Sequence, residues 1–556
     1  MYKPKLISLL DDKENGFSKE QFFKDLIAGI IVAIIALPLS IALGISSGVS
    51  PEKGLITAII AGFIISLLGG SRVQIGGPTG AFVVIVFGII QNHGVDGLII
   101  ATFMAGIILV LFGLLRFGSL IKYIPYPITV GFTSGIAVTL FSTQVKDFLG
   151  LSMTKTPSEF IPKWEAYISH MNTTNLYTLA IGLLALIILI FWPKINKKIP
   201  GSLIALIVTT LVVFIFNLPV ATIGSQFGKI SSNIPMPHIP NLNLNTLKAL
   251  IGPAFTIALL GGIESLLSAV VSDGMIGDKH NSNAELIAQG IANMGSSLFG
   301  GIPATGAIAR TAANVKNGGR TPISGIVHSI TLLLIMLVFM PLAKFIPLTT
   351  LSAILIIVSY NMSEWRTFKA ILKAPKSDIA ILLTTFFLTV LFDLVIAIGI
   401  GMVVSMCLFM RRVATSIEVN ELNESDCSDK SNIDTDMENL KVGENVLVYD
   451  IRGHLFFGAV DTFMNTMKEI NDDAKVLVLR MRHTKTLDVT GYKQIKNIAL
   501  SCKSRNMTLI ISELQEQPKK VMRLMGFIDT LGEDHFATNF DEALEKANSL
   551  IENKRH

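Results

Sequence analysis

Long stretches without a charged residue recur along the first three quarters of this 556-residue chain. A bilayer core about 30 Å thick is crossed by roughly 20 apolar residues of α-helix, so this pattern is typical of a chain that crosses a membrane many times. The composition agrees, because 51% of the residues are hydrophobic and only 16% are charged. We predict an α-helical membrane protein whose uncharged segments cover residues 26–51, 54–71, 73–95, 97–115, 123–145, 166–193, 199–228, 249–263, 286–309, 321–343, 345–363, 379–392 and 394–410.

The apolar segments fall into two halves that resemble each other. A polar stretch with three prolines, residues 235–240, separates seven segments from seven more when 304–316 is counted as a short helix of its own. Ser66-Leu-Leu-Gly-Gly70 precedes Gly77-Pro78-Thr79-Gly80-Ala81, as Ser297-Leu-Phe-Gly-Gly301 precedes Ile302-Pro303-Ala304-Thr305-Gly306-Ala307. Because seven crossings per repeat is an odd number, the second copy is inserted upside down. We therefore predict fourteen transmembrane segments as 7+7 inverted repeats, a plan seen in many secondary transporters.

Basic residues predict the orientation of the chain in the membrane. Up to Arg412 the chain carries 28 Lys+Arg and 17 Asp+Glu; with the N-terminus in the cytoplasm, the inner loops hold 20 of the basic residues and the outer loops hold 7. This bias follows the positive-inside rule. We expect a multi-pass protein of the plasma (inner) membrane with both termini in the cytoplasm. The basic excess lies in the lipid-contacting region, so it gives no argument for nucleic-acid binding.

The charge pattern changes after Arg412. Short β-type runs at 446–449, 454–457, 476–479 and 508–511 alternate with helical patterns at 460–470, 491–502, 518–525 and 541–551, which predicts a small α/β domain. The stretch before them is rich in Glu, Asp, Ser and Asn and predicts a linker with some disorder. We predict a cytoplasmic N-terminus (1–22), a transmembrane domain (23–412), the linker (413–440) and the cytoplasmic α/β domain (441–556).

Several functional classes have no support in the sequence. Cys407, Cys427 and Cys502 lie far apart and predict neither a disulfide framework nor a zinc site. No phosphate-binding loop of the GxxxxGK type occurs, so the chain encodes no ATPase engine. Five acidic residues within the first 25 do not fit a cleaved signal peptide. We expect no enzyme, no cofactor and no metal site other than one for a coupling ion.

A glycine- and proline-rich segment interrupts an apolar span in each half, and a short helix is predicted to begin near Thr79 and near Thr305. Threonine can cap the free N–H groups of a helix start, and each start carries about half a positive charge. If both starts face one cavity in mid-membrane, they form a site suited to an anion. The alternative is that the glycines only allow close helix packing or a kink.

Two charged residues lie inside these apolar segments. Arg310 ends an uncharged run of 24 residues, where a guanidinium would raise the affinity for an anion. Glu264 has 15 uncharged residues before it and eight after, so it is a candidate to take up H⁺ or, together with Thr305, to hold Na⁺. The alternatives are that Arg310 extends to the cytoplasmic boundary and that the two residues form a structural ion pair.

Other polar residues give weaker signals. Asp393 separates two apolar runs and predicts the turn between the last two helices. His93, His170 and His238 lie in or beside predicted outer loops, and His328 is isolated within a span. For these histidines we expect packing or solvation rather than metal binding.

Taken together, these motifs resemble those of the sulfate-permease (SulP) family of anion transporters over nearly the whole chain. The stretches that carry the resemblance are Ala36-Leu-Pro-Leu-Ser40, Gln74-Ile-Gly-Gly-Pro-Thr-Gly-Ala81, Gly300-Gly-Ile-Pro-Ala-Thr-Gly-Ala-Ile-Ala-Arg-Thr311, Lys316-Asn-Gly-Gly-Arg-Thr-Pro322 and the C-terminal α/β region.

The resemblance implies a fold, a site and partners. The fold is 7+7 inverted repeats split into a core and a gate, with elevator-like motion of the core, in a homodimer with a cytoplasmic STAS domain. The site lies between the third and tenth helices. Carried over by position, the backbone donors are Thr79, Gly80 and Ala81 and, from the other helix, Ala307, Ile308 and Ala309; Arg310 lies beside the anion, and Glu264 occupies the acidic position associated with cation coupling.

The STAS-like region departs from its family in one motif. Many STAS domains have Asp-Ser-Ser-Gly or Asp-Ser-Thr-Gly where this chain has Asp488-Val489-Thr490-Gly491. Thr490 is therefore the only hydroxyl within the motif and the one candidate for phosphorylation there. A partner protein in the cytoplasm is expected to bind through this domain.

We predict a secondary active transporter of a small anion (sulfate, bicarbonate or a dicarboxylate), coupled to H⁺ or Na⁺ or working by exchange. Three alternatives remain open from the sequence. They are a passive anion channel of the same fold, a membrane-anchored sensor that signals through its C-terminal domain, and a nucleobase carrier of similar architecture. The last would need aromatic and paired amide or carboxylate side chains at its site.

Overall fold

The computed structural model divides the chain between Met402 and Val403 into two units. It describes residues 3–11, 18–119, 124–153, 156–196, 199–228, 230–233, 235–238, 240, 243–392, 394–415, 417–422, 445–457 and 474–555. The predicted linker between 413 and 440 is described only in part, and Asp393 and Cys427 lie outside the described residues.

Helices build the first unit, apart from the two-residue strands β1 (Gly76–Gly77) and β2 (Thr305–Gly306). They are α1 (Lys5–Asp11), α2 (Lys19–Ser46), α3 (Pro51–Leu68), α4 (Val83–Leu114), α5 (Tyr126–Leu149), α6 (Phe160–Ser169), α7 (Leu176–Ile195), α8 (Gly201–Ile215), α9 (Ile223–Phe227), α10 (Leu244–Ile276), α11 (Ser282–Leu298), α12 (Ile308–Lys316), α13 (Pro322–Phe339), α14 (Leu348–Met362), α15 (Trp365–Ile371) and α16 (Lys376–Leu391), followed by α17 (Leu394–Ala414). Three-residue 3₁₀ turns at Gly80–Phe82 and Met171–Thr173 and a longer one at Met340–Phe345 complete it.

Every one of the fourteen predicted segments contains a helix, with α4 serving two of them. Gly94 breaks α4, because its φ of 69° lies in the left-handed region, which glycine adopts without strain. The short helix predicted at 304–316 begins only at Ile308, since the preceding residues form β2. Among the described residues, eight helices are long and apolar enough to cross a membrane. The number of crossings, fourteen, stays a prediction.

Helices of the two repeats in this unit make corresponding contacts. α3 packs on α13, and the corresponding helices of the other repeat, α11 and α4, also pack on each other. In the same way, the contact of α2 with α13 corresponds to the contact of α10 with α4. In a second group, α5 packs on α16 as α14 packs on α7. The first group contains α2, α3, α4, α10, α11, α12 and α13, and the second contains α5, α7, α8, α14 and α16. Each of the contacts named above between helices of one repeat and the other thus has a corresponding contact, as expected for a duplicated fold.

The second unit contains a five-stranded sheet in the order β3-β4-β5-β6-β7. β3 is antiparallel to β4, and the other neighbours are parallel. The strands are β3 (Glu418–Glu421), β4 (Val446–Leu455), β5 (Val476–Leu487), β6 (Thr508–Ser512) and β7 (Phe536–Ala537); the helices are α18 (Val489–Ser504), α19 (Glu516–Leu524), α20 (Phe527–Leu531) and α21 (Phe540–Arg555).

Side chains of β4 alternate between two apolar layers, which explains why the sheet is covered on both faces. Tyr449 and Ile451 pack in the layer with α18, α19 and α20, while Val446 and Val448 pack against α21. The sequence prediction came from a different signal, the short β-type runs that alternate with helical patterns.

Two details of the sequence prediction are corrected in this unit, and a third falls outside the described residues. The run 454–457 is not a separate strand, because β4 continues through Leu455. The predicted linker is not linker throughout, since β3 forms part of the sheet. The helix predicted at 460–470 lies outside the described residues.

Candidate functional site

The glycine- and proline-containing segments of the two halves meet as a short antiparallel strand pair. In this pair Gly76 lies opposite Gly306 and Gly77 lies opposite Thr305. The backbone N–H of Ala307 continues the contact by donating to the carbonyl of Ile75 at 2.9 Å. Antiparallel pairing is the arrangement expected of two copies of one segment inserted in opposite directions.

Two of the paired glycines permit this close approach. A β-carbon on Gly76 would collide with the side chain of Ile65, and one on Gly306 would collide with Gln74. Any larger residue would therefore push the strands away from the helices around them. The sequence prediction that these glycines serve only helix packing or a kink does not account for the strand pair.

A helix begins beside each strand. Thr79 directly precedes the 3₁₀ turn that leads into α4, whereas α12 begins three residues after Thr305, with Ala307 as its N-cap. The predicted capping by threonine is wrong, because neither helix start has a side-chain cap hydrogen bond. Both hydroxyls have other acceptors: Thr79 Oγ1 donates to Glu264 Oε2 at 2.9 Å, and Thr305 Oγ1 donates to the Gly261 carbonyl at 2.7 Å.

The first cavity lies at these helix starts and has a volume of about 280 Å³. Seven predicted site residues line it: Thr79, Gly80, Glu264, Ala307, Ile308, Ala309 and Arg310. Two others do not, because Thr305 is buried in β2 with its hydroxyl on α10 and Ala81 lines a different cavity. Asn361 and Glu364 are exposed at the mouth of the first cavity, so it opens to solvent there.

Glu264 is a buried carboxylate at this cavity. It lies on α10 with 9% of its surface exposed. The hydrogen bond that it accepts from Thr79 links α10 to the helix start that leads into α4. No ion pair joins Glu264 to Arg310 in the part of the chain that the structure describes, so the predicted structural ion pair is not formed. The carboxylate and the Thr79 hydroxyl offer oxygen atoms of the kind that H⁺ or a hard cation such as Na⁺ prefers.

Arg310 supplies positive charge to the same cavity. It is 2% exposed, which corrects the alternative that its side chain reaches the membrane boundary. One terminal nitrogen donates to the Pro78 carbonyl at 3.0 Å, so the guanidinium extends from α12 to the first repeat. Its Nε and Nη1 atoms have no hydrogen-bond partner among the described residues. A buried guanidinium with free donors is suited to bind an anion.

A buried polar network behind the strand pair was missed by sequence reasoning. Glu285 accepts from the backbone N–H groups of Gly70 and Ser71 at 2.8 and 3.1 Å and from Ser265 Oγ at 3.1 Å. Gln74 donates to the same Ser265 hydroxyl at 2.9 Å. These bonds fix the chain leading into β1 against α10 and α11. No spacing pattern marks such residues in advance, because their partners come from other parts of the chain.

A second cavity, of about 610 Å³, lies beyond the first turn of the helix that follows Thr79. Ala81 and Val84 line it from α4 and the turn before it, together with Asn92 and His93 at the far end of that helix segment. Gly80 lines the first cavity and Ala81 the second. The two spaces are therefore separated at this point by the helix start itself.

The histidines form no shared site. No group of three or more His, Cys, Asp or Glu side chains comes together within the described ranges. His328 is buried on α13 with both ring nitrogens unpartnered among these residues, while His93 is exposed beside the second cavity.

In the second unit, Thr490 is exposed in the first turn of α18. Asp488 caps this helix by accepting from the Gly491 N–H at 2.7 Å, and its other oxygen accepts from the Phe457 N–H at 3.0 Å. Capping by Asp explains why this motif begins with an acidic residue.

Comparison with known proteins identifies both units. A model of the sulfate permease family matches residues 22–385, and a model of the STAS domain matches residues 439–543. The putative sulfate transporter YvdB of Bacillus subtilis is 43% identical over 529 residues, covering 95% of this chain and 98% of that protein. The bicarbonate transporter BicA of Picosynechococcus is 30% identical over 542 residues, covering 94% of each.

Solved structures agree with this assignment. The transmembrane domain of a cyanobacterial bicarbonate transporter, BicA, superposes with a TM-score of 0.62 at 30% identity, covering 70% of this chain and 98% of that one. The murine anion transporter Slc26a9 superposes with a TM-score of 0.86 over 98% of this chain and 95% of that one; at 16% identity this likeness shows the fold alone. The chain is thus a member of the sulfate permease family of membrane transport proteins, with a C-terminal STAS domain.

Proposed function

We propose that this protein is a secondary active transporter of a small anion, which binds in the first cavity between Gly80 and residues 307–310. The observation that carries the proposal is Arg310, a buried guanidinium with two unpartnered donor nitrogens among the described residues. An anion would accept from these donors and from N–H groups at the two helix starts, whose partial charges are also positive. The predicted donor Ala307 is excluded, because its N–H donates to the Ile75 carbonyl.

The size and lining of the cavity favour a small, compact substrate. Its volume of about 280 Å³ is at the lower limit of the roughly 300–1,000 Å³ typical of organic-ligand pockets. None of the described residues that line it is aromatic, which disfavours a nucleobase carrier. Sulfate, bicarbonate and a small dicarboxylate all fit these terms, and the names of the two similar proteins include sulfate and bicarbonate.

Coupling to H⁺ or Na⁺ is assigned to Glu264. A buried carboxylate beside a positively charged site changes the charge of the cavity by one unit when it gains a proton or a cation. Since Thr79 belongs to the helix start that faces the anion, its hydrogen bond to Glu264 joins the two sites directly. For Na⁺, the Thr305 hydroxyl oxygen on the neighbouring strand is a further candidate ligand.

Alternating access is proposed to open the two cavities in turn. With the N-terminus in the cytoplasm, the first cavity opens inward and the second outward. The helix group containing α2, α3, α4, α10, α11, α12 and α13 carries the site, and we propose that it moves like an elevator against the group containing α5 and α14. The homodimer, the plasma-membrane location and a cytoplasmic partner of the STAS domain remain proposals from the family resemblance, as does control through Thr490.

Uptake into proteoliposomes tests the transport proposal. Labelled sulfate, bicarbonate and fumarate are each supplied with and without Na⁺ and pH gradients. We expect saturable uptake of at least one anion, accumulation that depends on one of the gradients, and counterflow of labelled anion. Flux that rises linearly with concentration and shows no counterflow would instead identify a passive channel. Uptake that depends on neither the Na⁺ gradient nor the pH gradient would refute coupling.

Deletion of residues 440–556 separates the transporter from the membrane-anchored sensor. We expect the truncated protein to retain saturable uptake, because both helix starts and both buried charges lie in the first unit. Size-exclusion chromatography shows whether the truncated protein is folded. Complete loss of uptake by a folded truncated protein favours the sensor.

A further inference from the structure

Lys163 is a second buried cation, outside the site described above. It lies on α6, and only 4% of its surface is exposed. Lysine is almost never fully buried unless it is paired, because removing its charge from water is costly. Within the described residues its ammonium group has neither a hydrogen bond nor an ion pair, so its burial is uncompensated there. Such a group points to a ligand that the protein acquires from solution.

The second cavity brings Lys163 to the path of the anion. Lys163 and Phe160 line it from α6, and Ala81 lies at the end nearest the first cavity. Thr139 on α5 and Thr256 on α10 line the same space, and their hydroxyls donate to carbonyls of their own helices. One cavity therefore connects an unpaired cation and polar side chains to the helix start that separates it from the first cavity.

The other charged groups of this cavity do not neutralise Lys163. Glu159 lines the rim but is exposed and forms no ion pair with Lys163 among the described residues. His93 is also exposed, on α4. Asp147, on α5, is not among the described residues that line this cavity. The start of α6 adds a partial positive charge, whereas the helix segment that ends at His93 adds a partial negative one.

We propose that Lys163 forms a second, transient binding site for the transported anion in the second cavity, and that the anion passes through this site on its way to or from Arg310. The proposal rests on the proposed function for the identity of the anion and the direction of its path. The ammonium group attracts the anion out of solution and donates to it inside the cavity.

Transport kinetics measured separately from each face of the membrane test this site. The full-length chain is assayed with labelled sulfate, bicarbonate or fumarate, whichever the wild type transports. Lys163→Gln is expected to raise the KM about fivefold from the face that the second cavity opens to, since a charge-assisted contact is lost. The KM from the opposite face is expected to stay at the wild-type value.

Two control variants separate charge from structure. Lys163→Arg keeps the charge and should keep the KM within about twofold of the wild type. Lys248→Gln removes an exposed lysine from α10, the helix that contributes Thr256, and should leave the KM unchanged. If Lys163→Gln does not fold, Glu159→Gln tests the second site instead. Loss of a negative charge at the rim should lower the KM from the same face by about twofold.

Each outcome of these assays is decisive. A wild type that transports, together with Lys163→Gln or Glu159→Gln variants whose KM is unchanged from both faces, overturns the second site and leaves the proposed function intact. A KM raised equally from both faces also overturns it, since the change would then belong to the first cavity. A wild type without any anion flux refutes the proposed function itself, and binding of labelled sulfate to detergent-solubilised wild type and Lys163→Gln would then decide on the second site alone.

Discussion

The two helix starts share a backbone plan and differ in their side chains. Residues 79–81 correspond to residues 305–307 at an offset of 226, and at the same offset Val84 corresponds to Arg310. Arg310 lines the first cavity and Val84 lines the second. Val84 and Arg310 thus face opposite cavities although they are equivalent in the two repeats, as expected of an inverted duplication.

This difference separates what duplication provides from what later substitution adds. The repeated backbone provides two helix starts whose partial charges are equal. The full charges are unequal: Arg310 is present in only one copy, and Glu264 accepts from the threonine of the other copy. We infer that the shared backbone attracts anions in general, whereas affinity and ion coupling depend on the residues that break the symmetry.

The largest effect is expected from Glu264→Gln. The neutral amide cannot take up a proton and has no negative charge to balance a cation, so accumulation of the anion above equilibrium should be lost, while its Kd should remain within about twofold of the wild type because Arg310 is kept. Gradient-driven uptake and equilibrium binding measure the two quantities. Glu364→Gln is the matched control, since this carboxylate is exposed at the mouth of the same cavity. Unchanged pH and Na⁺ dependence in Glu264→Gln would remove it from the coupling mechanism.

The asymmetry in charge is tested by Arg310→Ala. Loss of a charge-assisted contact to the anion should raise the KM about tenfold. Val84→Ala changes the equivalent residue of the first repeat and should leave the KM within about twofold, because Val84 offers no donor. Equal KM values for the two variants would mean that the repeats contribute equally to the affinity.

The proposed second site predicts a pH dependence that extends the comparison to the two cavities. Burial in α6, outside the membrane-spanning segments, lowers the pKa of Lys163 to about 8. The ammonium group is charged below this pH and becomes neutral above it, so the KM from the face of the second cavity should rise about fivefold as the pH increases from about 7 to about 9. Lys163→Arg should abolish this rise, because its guanidinium stays protonated. A rise of the same size in that variant would assign the titration to another group.

The smallest effects should come from the equivalent threonines. Thr305→Val leaves the Gly261 carbonyl without its donor and should cost about 1 kcal/mol of stability, seen as a lower thermal unfolding temperature. Thr79→Val should instead alter the gradient dependence of uptake, because its hydroxyl bonds to Glu264. If both variants change only the unfolding temperature, the two hydroxyls have the same structural role.

Buried charges were the part of the site that could be predicted from sequence. Arg310 and Glu264 stand out because charge is rare in apolar segments, and the duplicated Pro and Thr-Gly-Ala motifs located both helix starts. The α/β fold of the second unit was also predictable, since short β-type runs alternate with helical patterns along its sequence.

The remaining contacts depend on distant partners. The role of Glu285 comes from the N–H groups of Gly70 and Ser71, more than 200 residues away. Lys163 lies outside the predicted apolar segments, and no sequence pattern indicates its burial, because that depends on how α6 lies across other helices. The threonine hydroxyls were predicted to cap helices, but Thr79 and Thr305 have acceptors on α10 that no local pattern indicates.

The strand pair of Gly76–Gly77 with Thr305–Gly306 limits how the substrate can be released. Main-chain hydrogen bonds link the two halves of the binding site, so separating those halves would leave buried N–H and C=O groups without partners. The site is therefore expected to stay intact during transport. Its exposure to either side of the membrane must come from movement of the whole site relative to the helices around it. An engineered disulfide between these two strands would consequently leave the transport rate unchanged.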